Sequence, residues 1–184
     1  MAQSSSSSTL LNIDSLQGLE RPSVAIVYTE WNEAIVTEMR NGCRRVAEQT
    51  GAVIIEELMV PGSFELTFGC RMLWESYAEL PEAPEAIIAI GAVIRGGTPH
   101  FEYVCKAATE GILHLNLAMP IPTIFGVLTL DTEAQAWERL GGRHGHKGEE
   151  AMISALKMIQ QSRKLTERSF NQWENGLDEE EDTF

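Results

Sequence analysis

The chain has 184 residues, 43% of them hydrophobic and 22% charged, with a formal net charge of −13, a composition that suits one compact domain with a sizeable core. Seven prolines and 15 glycines exclude a collagen-like or linker chain, no apolar run approaches the ~20 residues that span a bilayer, and the acidic balance argues against a general nucleic-acid binder, which needs a basic face. Three cysteines (Cys43, Cys70 and Cys105), odd in number and far apart, together with an N-terminus lacking the features of a secretory signal, point to reduced thiols in a cytoplasmic protein.

In chain order, residues 1–20 read as an arm. The tract Ser4 to Ser8 is too polar to order itself, while Leu10, Leu11, Ile13 and Leu16 offer a short strand to another surface, such as a neighbouring subunit's sheet. Residues 21–168 form the domain. Strands are predicted at 23–28 (SVAIVY), 52–58 (AVIIEEL), 86–94 (AIIAIGAVI) and 121–128 (IPTIFGVL), and helical spacing at 32–50, 63–77, 101–119 and 147–168. SVAIV, AIIAI and IFGVL do not alternate apolar with polar, as expected of strands covered on both faces. The order βαβαβαβα predicts an α/β fold: a parallel sheet of about four strands, right-handed crossovers and helices on both faces. Residues 169–184 read as a tail whose run Asp178 to Asp182 is a solvated acidic block.

Ligands of such sheets bind beyond the carboxyl ends of the strands, so four loops carry the candidates. The richest is GAVIRGGTPHFEY, where a buried strand runs into Gly96, Gly97 and Thr98 and then His100 at a helix start. Free amides there accept an anion, the Thr98 hydroxyl suits either a helix cap or a phosphate oxygen, and the His100 imidazole suits proton transfer. A plain turn with an N-cap explains the same residues. VPGSFEL sets Ser63 as an N-cap, with Phe64 and Glu65 either facing a cleft or, for Glu65, complementing the helix dipole. Trp31, beside Asn32 in TEWN, suits either a core or a stacking role. Arg139 and Lys147 flank a glycine-rich stretch and form either a solvated surface or a phosphate clamp. His144 and His146 lack the companions of a zinc site, Cys105 reads as core, and no GxSxG occurs.

VPGSFEL, IGAVIRGGTPHFEYV, IFGVLTLDTEAQAWER and HKGEEA, in this order and spacing, closely resemble the lumazine synthases, the penultimate enzymes of riboflavin biosynthesis. The resemblance covers about residues 23–158. It implies a flavodoxin-like three-layer αβα sandwich, and the condensation of 5-amino-6-(D-ribitylamino)uracil with 3,4-dihydroxy-2-butanone 4-phosphate to 6,7-dimethyl-8-ribityllumazine, phosphate and water, with no cofactor or metal. By the same resemblance Trp31, with Asn32 beside it, stands where an aromatic ring stacks on the pyrimidine. Ser63, Phe64, Glu65, Ala92, Val93 and Ile94 line the pyrimidine and ribityl site, Gly97 and Thr98 belong to the butanone-phosphate loop, and His100 transfers protons. Phe125, Arg139 and Lys147 are lent by the adjacent subunit, and Glu150 orients the histidine. The implied assembly is a homo-oligomer of pentamers, with the short Gly141 to Gly148 connection resembling that of members that build 60-subunit icosahedral shells. Two residues depart from the usual pattern: Trp31 replaces a common Phe, which suggests riboflavin binding, and His146 stands where many members have Asn. A flavin-binding module and a container protein are the competing readings.

Overall fold

The computed structural model describes the backbone of residues 12–16 and 18–181, and side chains as far as Phe170. Four parallel strands, β1 (Ser23–Thr29), β2 (Val53–Val60), β3 (Ala86–Ile94) and β4 (Thr123–Leu130), lie in the order β2-β1-β3-β4. Helices α1 (Glu33–Thr50) and α5 (Lys147–Glu181) cover one face, and α2 (Leu66–Tyr77) and α3 (His100–Ala118) the other. This is the flavodoxin-like three-layer sandwich expected from the sequence. Period-two geometry explains the unbroken apolar runs: Val24 and Ile26 of β1 pack towards α1 and α5, while Ala25 and Val27 pack towards α2. Successive β3 residues divide in the same way, Ile88 and Ile90 to one layer and Ile87 and Ala89 to the other.

Several boundaries differ from the expectation, each for a local reason. Ile13–Leu16 is a 3-10 turn and not a strand; Leu16 is buried in this chain's own core, and Gln160 Nε2 donates to the Ser15 carbonyl at 3.0 Å. Leu10, Leu11 and Ser4 to Ser8 lie outside the described residues. Helix α2 starts at Leu66, three residues after Ser63, because Gly62 and Glu65 close a tight turn first (Glu65 N to Gly62 O, 3.1 Å). Strand β4 runs two residues further than predicted, to Leu130, and is followed by α4 (Glu133–Trp137) and a short antiparallel pair, β5 (Leu140–Gly142) and β6 (Gly145–His146), in a stretch the pattern left as loop. Helix α5 passes Arg168 and continues to Glu181, through most of the predicted tail. No helix among the described residues is long and apolar enough to cross a membrane.

Helices α1 and α5 approach most closely at Gly148, where a Cβ would stand 2.0 Å from the Met39 carbonyl oxygen and where the Cys43 thiol donates to the Gly148 carbonyl at 3.1 Å. Backbone cannot yield as a side-chain tip can. Gly148→Ala is therefore expected to destabilise the fold by about 2–3 kcal/mol, seen as a lowered midpoint of chemical unfolding; a midpoint equal to wild type would contradict this packing.

At the amino end of the sheet Arg163 of α5 holds Glu85 through two bonds of 2.7 and 2.6 Å, and the Ser23 amide donates to the same carboxylate at 3.0 Å. Burial works to raise the Glu85 carboxyl, but the bonds from Arg163 and Ser23 outweigh it and hold the group below its ordinary value. A lowered folded value stabilises the native state above the unfolded carboxylate range, and that stabilisation is lost as pH falls through the folded value. Glu85→Gln is expected to flatten the acid limb of the stability profile and to cost about 1 kcal/mol at neutral pH, since the pair is partly exposed. Thermal unfolding between pH 3 and 7 checks this, and an unchanged acid limb would refute it.

Candidate active site

With strand order β2-β1-β3-β4, the chain leaves β1 towards one edge of the sheet and β3 towards the other. The crevice between their carboxyl ends is the topological switch point, where open α/β sheets bind ligands. A cleft of about 460 Å³ opens there, lined by Trp31 and Asn32 after β1, Gly62, Ser63, Phe64 and Glu65 after β2, Ala92, Val93 and Ile94 of β3, and His100 and Val104 of α3. That volume suits a small heterocyclic ligand. A larger groove of about 690 Å³ lies at the opposite end of the sheet, among Pro84, Pro120, Pro122, Ile159 and Phe170. Its lining lacks the convergence of polar loops, aromatic rings and a histidine that marks the smaller cleft.

Asn32 takes a left-handed backbone conformation (φ 60°) that asparagine tolerates better than most residues. Its amide donates to the Ala92 carbonyl at 2.8 Å, tying the β1 loop to β3, so its side chain shapes the cleft. Trp31 is 73% exposed and forms the rim, which settles its position: it is not a core residue. Ser63 is buried and faces Gly91 of β3, whereas Phe64 is exposed at the mouth. Thr98 does not cap α3, whose preceding residue is Pro99, and its hydroxyl makes no hydrogen bond among the described residues. Gly96 and Gly97 have open space where a side chain would stand. The loop thus presents unobstructed backbone beside His100, an arrangement able to receive an anion near a proton-transferring group.

One organiser escaped the sequence reading. Arg95 stacks on the Phe101 ring, 4.1 Å from its centroid, while its Nε donates to Asp131 at 2.7 Å and its Nη1 donates to Glu102. Hydrogen bonds from Arg95 hold the Glu102 carboxyl below its ordinary value. The arginine therefore spans the Gly96 to Pro99 loop and joins the ends of β3 and β4 to the first turn of α3. The signal available was a cation directly ahead of the loop and a carboxylate seven residues on. Arg95→Ala is expected to raise KM for an anionic substrate about 3–10-fold, by loosening the loop; an unchanged KM would remove Arg95 from this role.

Arg139, Lys147, Glu150 and Phe125 do not line this cleft in the same chain. The hairpin β5–β6 brings the two cations together, with Leu140 opposite His146 and the Lys147 amide donating to the Arg139 carbonyl at 2.8 Å. Gly141 (φ 105°) and Gly145 (φ 73°) supply the left-handed positions this tight return needs. Lys147 Nζ donates to both oxygens of Glu150 at 2.7 and 2.6 Å, with the two side chains only 16% and 6% exposed. Within one chain Glu150 thus holds Lys147 and not His100, whose imidazole makes no hydrogen bond among the described residues. Arg139 Nη1 donates to the Gln135 carbonyl at 2.9 Å. Phe125 projects from the middle of edge strand β4, 42% exposed.

Burial pushes the thiols of Cys43 and Cys70 up to about 12, so neither is a nucleophile near neutral pH. Cys105 is half-buried and not core as expected, and burial raises its thiol too. No group of three His, Cys, Asp or Glu side chains among the described residues stands ready to hold a metal ion.

A switch-point cleft with an aromatic rim, an anion-receptive loop and a histidine defines an α/β enzyme of small-molecule chemistry. The family model for 6,7-dimethyl-8-ribityllumazine synthase matches residues 21–163. Curated relatives include the 6,7-dimethyl-8-ribityllumazine synthases of Parabacteroides distasonis (43% identical over 152 residues, 80% of this chain and 91% of the relative) and Phocaeicola vulgatus (40% over 158 residues, 84% and 90%). That of Bacteroides fragilis is 44% identical over 136 residues, 73% of this chain and 92% of its own. The chain belongs to the 6,7-dimethyl-8-ribityllumazine synthase family, transferases of riboflavin biosynthesis.

Proposed function

We propose that the chain condenses 5-amino-6-(D-ribitylamino)uracil with 3,4-dihydroxy-2-butanone 4-phosphate in a site completed by an adjacent copy of itself. The pyrimidine stacks on Trp31 between Phe64 and the end of β3, with Ser63, Glu65 and Ala92 to Ile94 reading its edge and ribityl chain. The butanone phosphate lies on Gly97 and Thr98. The 5-amino group attacks the ketone carbonyl, and the carbinolamine loses water to give a Schiff base. Removal of the proton on the hydroxyl-bearing carbon beside the imine gives an enamine, whose electrons expel phosphate with the pair of its C–O bond. The enol left behind tautomerises to a methyl ketone, and the ribityl-bearing amine attacks that carbonyl and closes the ring with loss of water. His100 takes and returns protons at these steps, a role suited to an imidazole, whose two ring nitrogens can accept and donate. Much of the acceleration comes from holding two substrates in register.

The observation that carries this reading is the placing of Trp31, His100 and the unobstructed Gly96–Gly97 loop at one switch point, while the cation pair is assembled elsewhere in the same chain. An adjacent copy supplying Phe125, Arg139 and Lys147 completes the site, with Arg139 on the phosphate; Glu150, bound to Lys147, arrives beside the first copy's His100. Exposed Phe68 and Met72 on α2, and Leu113 and Leu117 on α3, are apolar surface of the kind subunit contacts cover. By the family resemblance the assembly is a pentamer, with a 60-subunit shell as its further assembly. The three unpaired cysteines support a cytoplasmic location.

Purified protein mixed with both substrates is expected to form the product, followed by its absorbance and fluorescence. No rate above the uncatalysed one, from assembled protein, would refute the reading. Sedimentation gives the assembly size, and a monomer with full activity would exclude the shared site.

The exposed Trp31 ring favours a second reading, in which the cleft also holds flavin. Riboflavin is expected to quench the fluorescence of wild type more than that of Trp31→Phe. Equal quenching would remove flavin binding from this site.

A further inference from the structure

A network of charged and titratable groups joins α1 to the start of α5, outside the cleft. Glu38 accepts from Asn41 Nδ2 at 3.2 Å, Arg45 Nη1 at 3.1 Å and His146 Nε2 at 3.2 Å, and Arg45 Nε donates to Glu149 at 3.0 Å. We propose that His146 is a positioning residue for Lys147: its neutral imidazole caps α5 and thereby fixes the turn that carries Lys147 and Glu150. This rests on the reading that Lys147 serves the phosphate end of the site.

Hydrogen-bond polarity assigns the tautomer. The backbone amide of Glu149 points at His146 Nδ1 from 3.4 Å, and an amide can only donate. Nδ1 is therefore the acceptor, the ring proton sits on Nε2, and Nε2–H donates to Glu38. Glu149 is the third residue of α5, so its N–H is among those a helix cannot satisfy from within. An acceptor from the residue just before the helix meets that need, as Ser, Asp or Asn does elsewhere. An asparagine oxygen at position 146 would be chemically equivalent, which makes the departure noted in the sequence a substitution of one cap for another.

The ring is also locked in place. It is 7% exposed, and a Cβ on Gly42 would come within 2.3 Å of its Cε1, so α1 carries a notch that the imidazole fills. Through its own backbone, His146 leads directly to Lys147, whose amide is held by Arg139 and whose ammonium is held by Glu150. Loosening the first turn of α5 frees the Lys147–Glu150 pair from its fixed relation to Arg139.

Three variants of the assembled enzyme separate capping from filling. His146→Ala is expected to raise KM for the butanone phosphate about 5-fold, the order expected for loss of a cap, with kcat within about twofold, and to speed amide exchange in residues 147–152. His146→Asn, which keeps an acceptor but not the ring, restores both; His146→Phe, which keeps a ring but no acceptor, restores neither. Restoration by Phe and not by Asn would overturn the proposal, as would wild-type values in all three. Lys147→Met distinguishes the underlying reading. If it leaves KM for the butanone phosphate unchanged, Lys147 does not serve the phosphate, the positioning role falls with it, and the exchange data then report on the helix cap alone.

Discussion

Arg139→Ala is expected to lower kcat/KM by about 10²-fold, mostly through the butanone phosphate, with the assembly intact. A guanidinium offers two parallel donors to a phosphate, and hydrogen bonds to charged groups contribute about 1.5–3 kcal/mol each where water is excluded. Two such bonds are worth at least about 3 kcal/mol, and each 1.4 kcal/mol is a tenfold change in rate. Part of the loss belongs in kcat, because charge on the departing phosphate increases in the transition state. Arg139→Lys is expected to recover only part of the activity, since an ammonium lacks the planar fork. The structural cost of the alanine is small: the Arg139 side chain gives up one bond, to the Gln135 carbonyl, while its backbone keeps its place opposite Lys147. A decrease of less than about threefold in kcat/KM, measured with both substrates varied, would take Arg139 out of the phosphate site.

The sheet was legible because strands buried on both faces leave unbroken Val and Ile runs, and β1 and β3 fall within one residue of their predicted ends. Helix starts were less legible. Ser63 and Thr98 have the chemistry of caps, but a Pro-Gly turn delays α2 and Pro99 opens α3, so neither hydroxyl caps a helix. The end of α5 was hidden by composition. Residues beyond Arg168 look like a solvated tail, yet they contain no proline and four glutamates, a residue type that favours helix. Candidate site residues separated by function as well as by distance. Those at strand ends could be found from the rule that ligands bind there, and the cleft gathers them. The cation pair could not be told from a solvated loop until Gly141 and Gly145 were seen at positive φ, folding residues 139 and 147 against each other. His146 was illegible for a different reason: its partner Glu38 lies 108 residues away, and no local pattern announces such a bond.

His100→Ala is expected to slow turnover by about 10–100-fold without abolishing it. General acid–base help is worth about 10²–10⁴ where a side chain performs the transfer alone, and solvent replaces part of that function in a cleft as open as this one. No covalent intermediate with the protein is required, so binding in register survives the substitution. The imidazole is exposed and makes no hydrogen bond among the described residues, and its removal therefore leaves the fold undisturbed. The shared site adds a sharper test. Each cleft needs His100 from one copy and Arg139 from the next. Co-assembly of His100→Ala with Arg139→Ala subunits in equal amounts therefore creates clefts with both groups intact at roughly one interface in four, as closed cyclic packing dictates. Activity is expected to rise to about a quarter of wild type, well above either variant by itself. A mixture no more active than the mean of its parents would place His100 and Arg139 in the same chain's site, and the complementary contribution of two subunits would have to be abandoned.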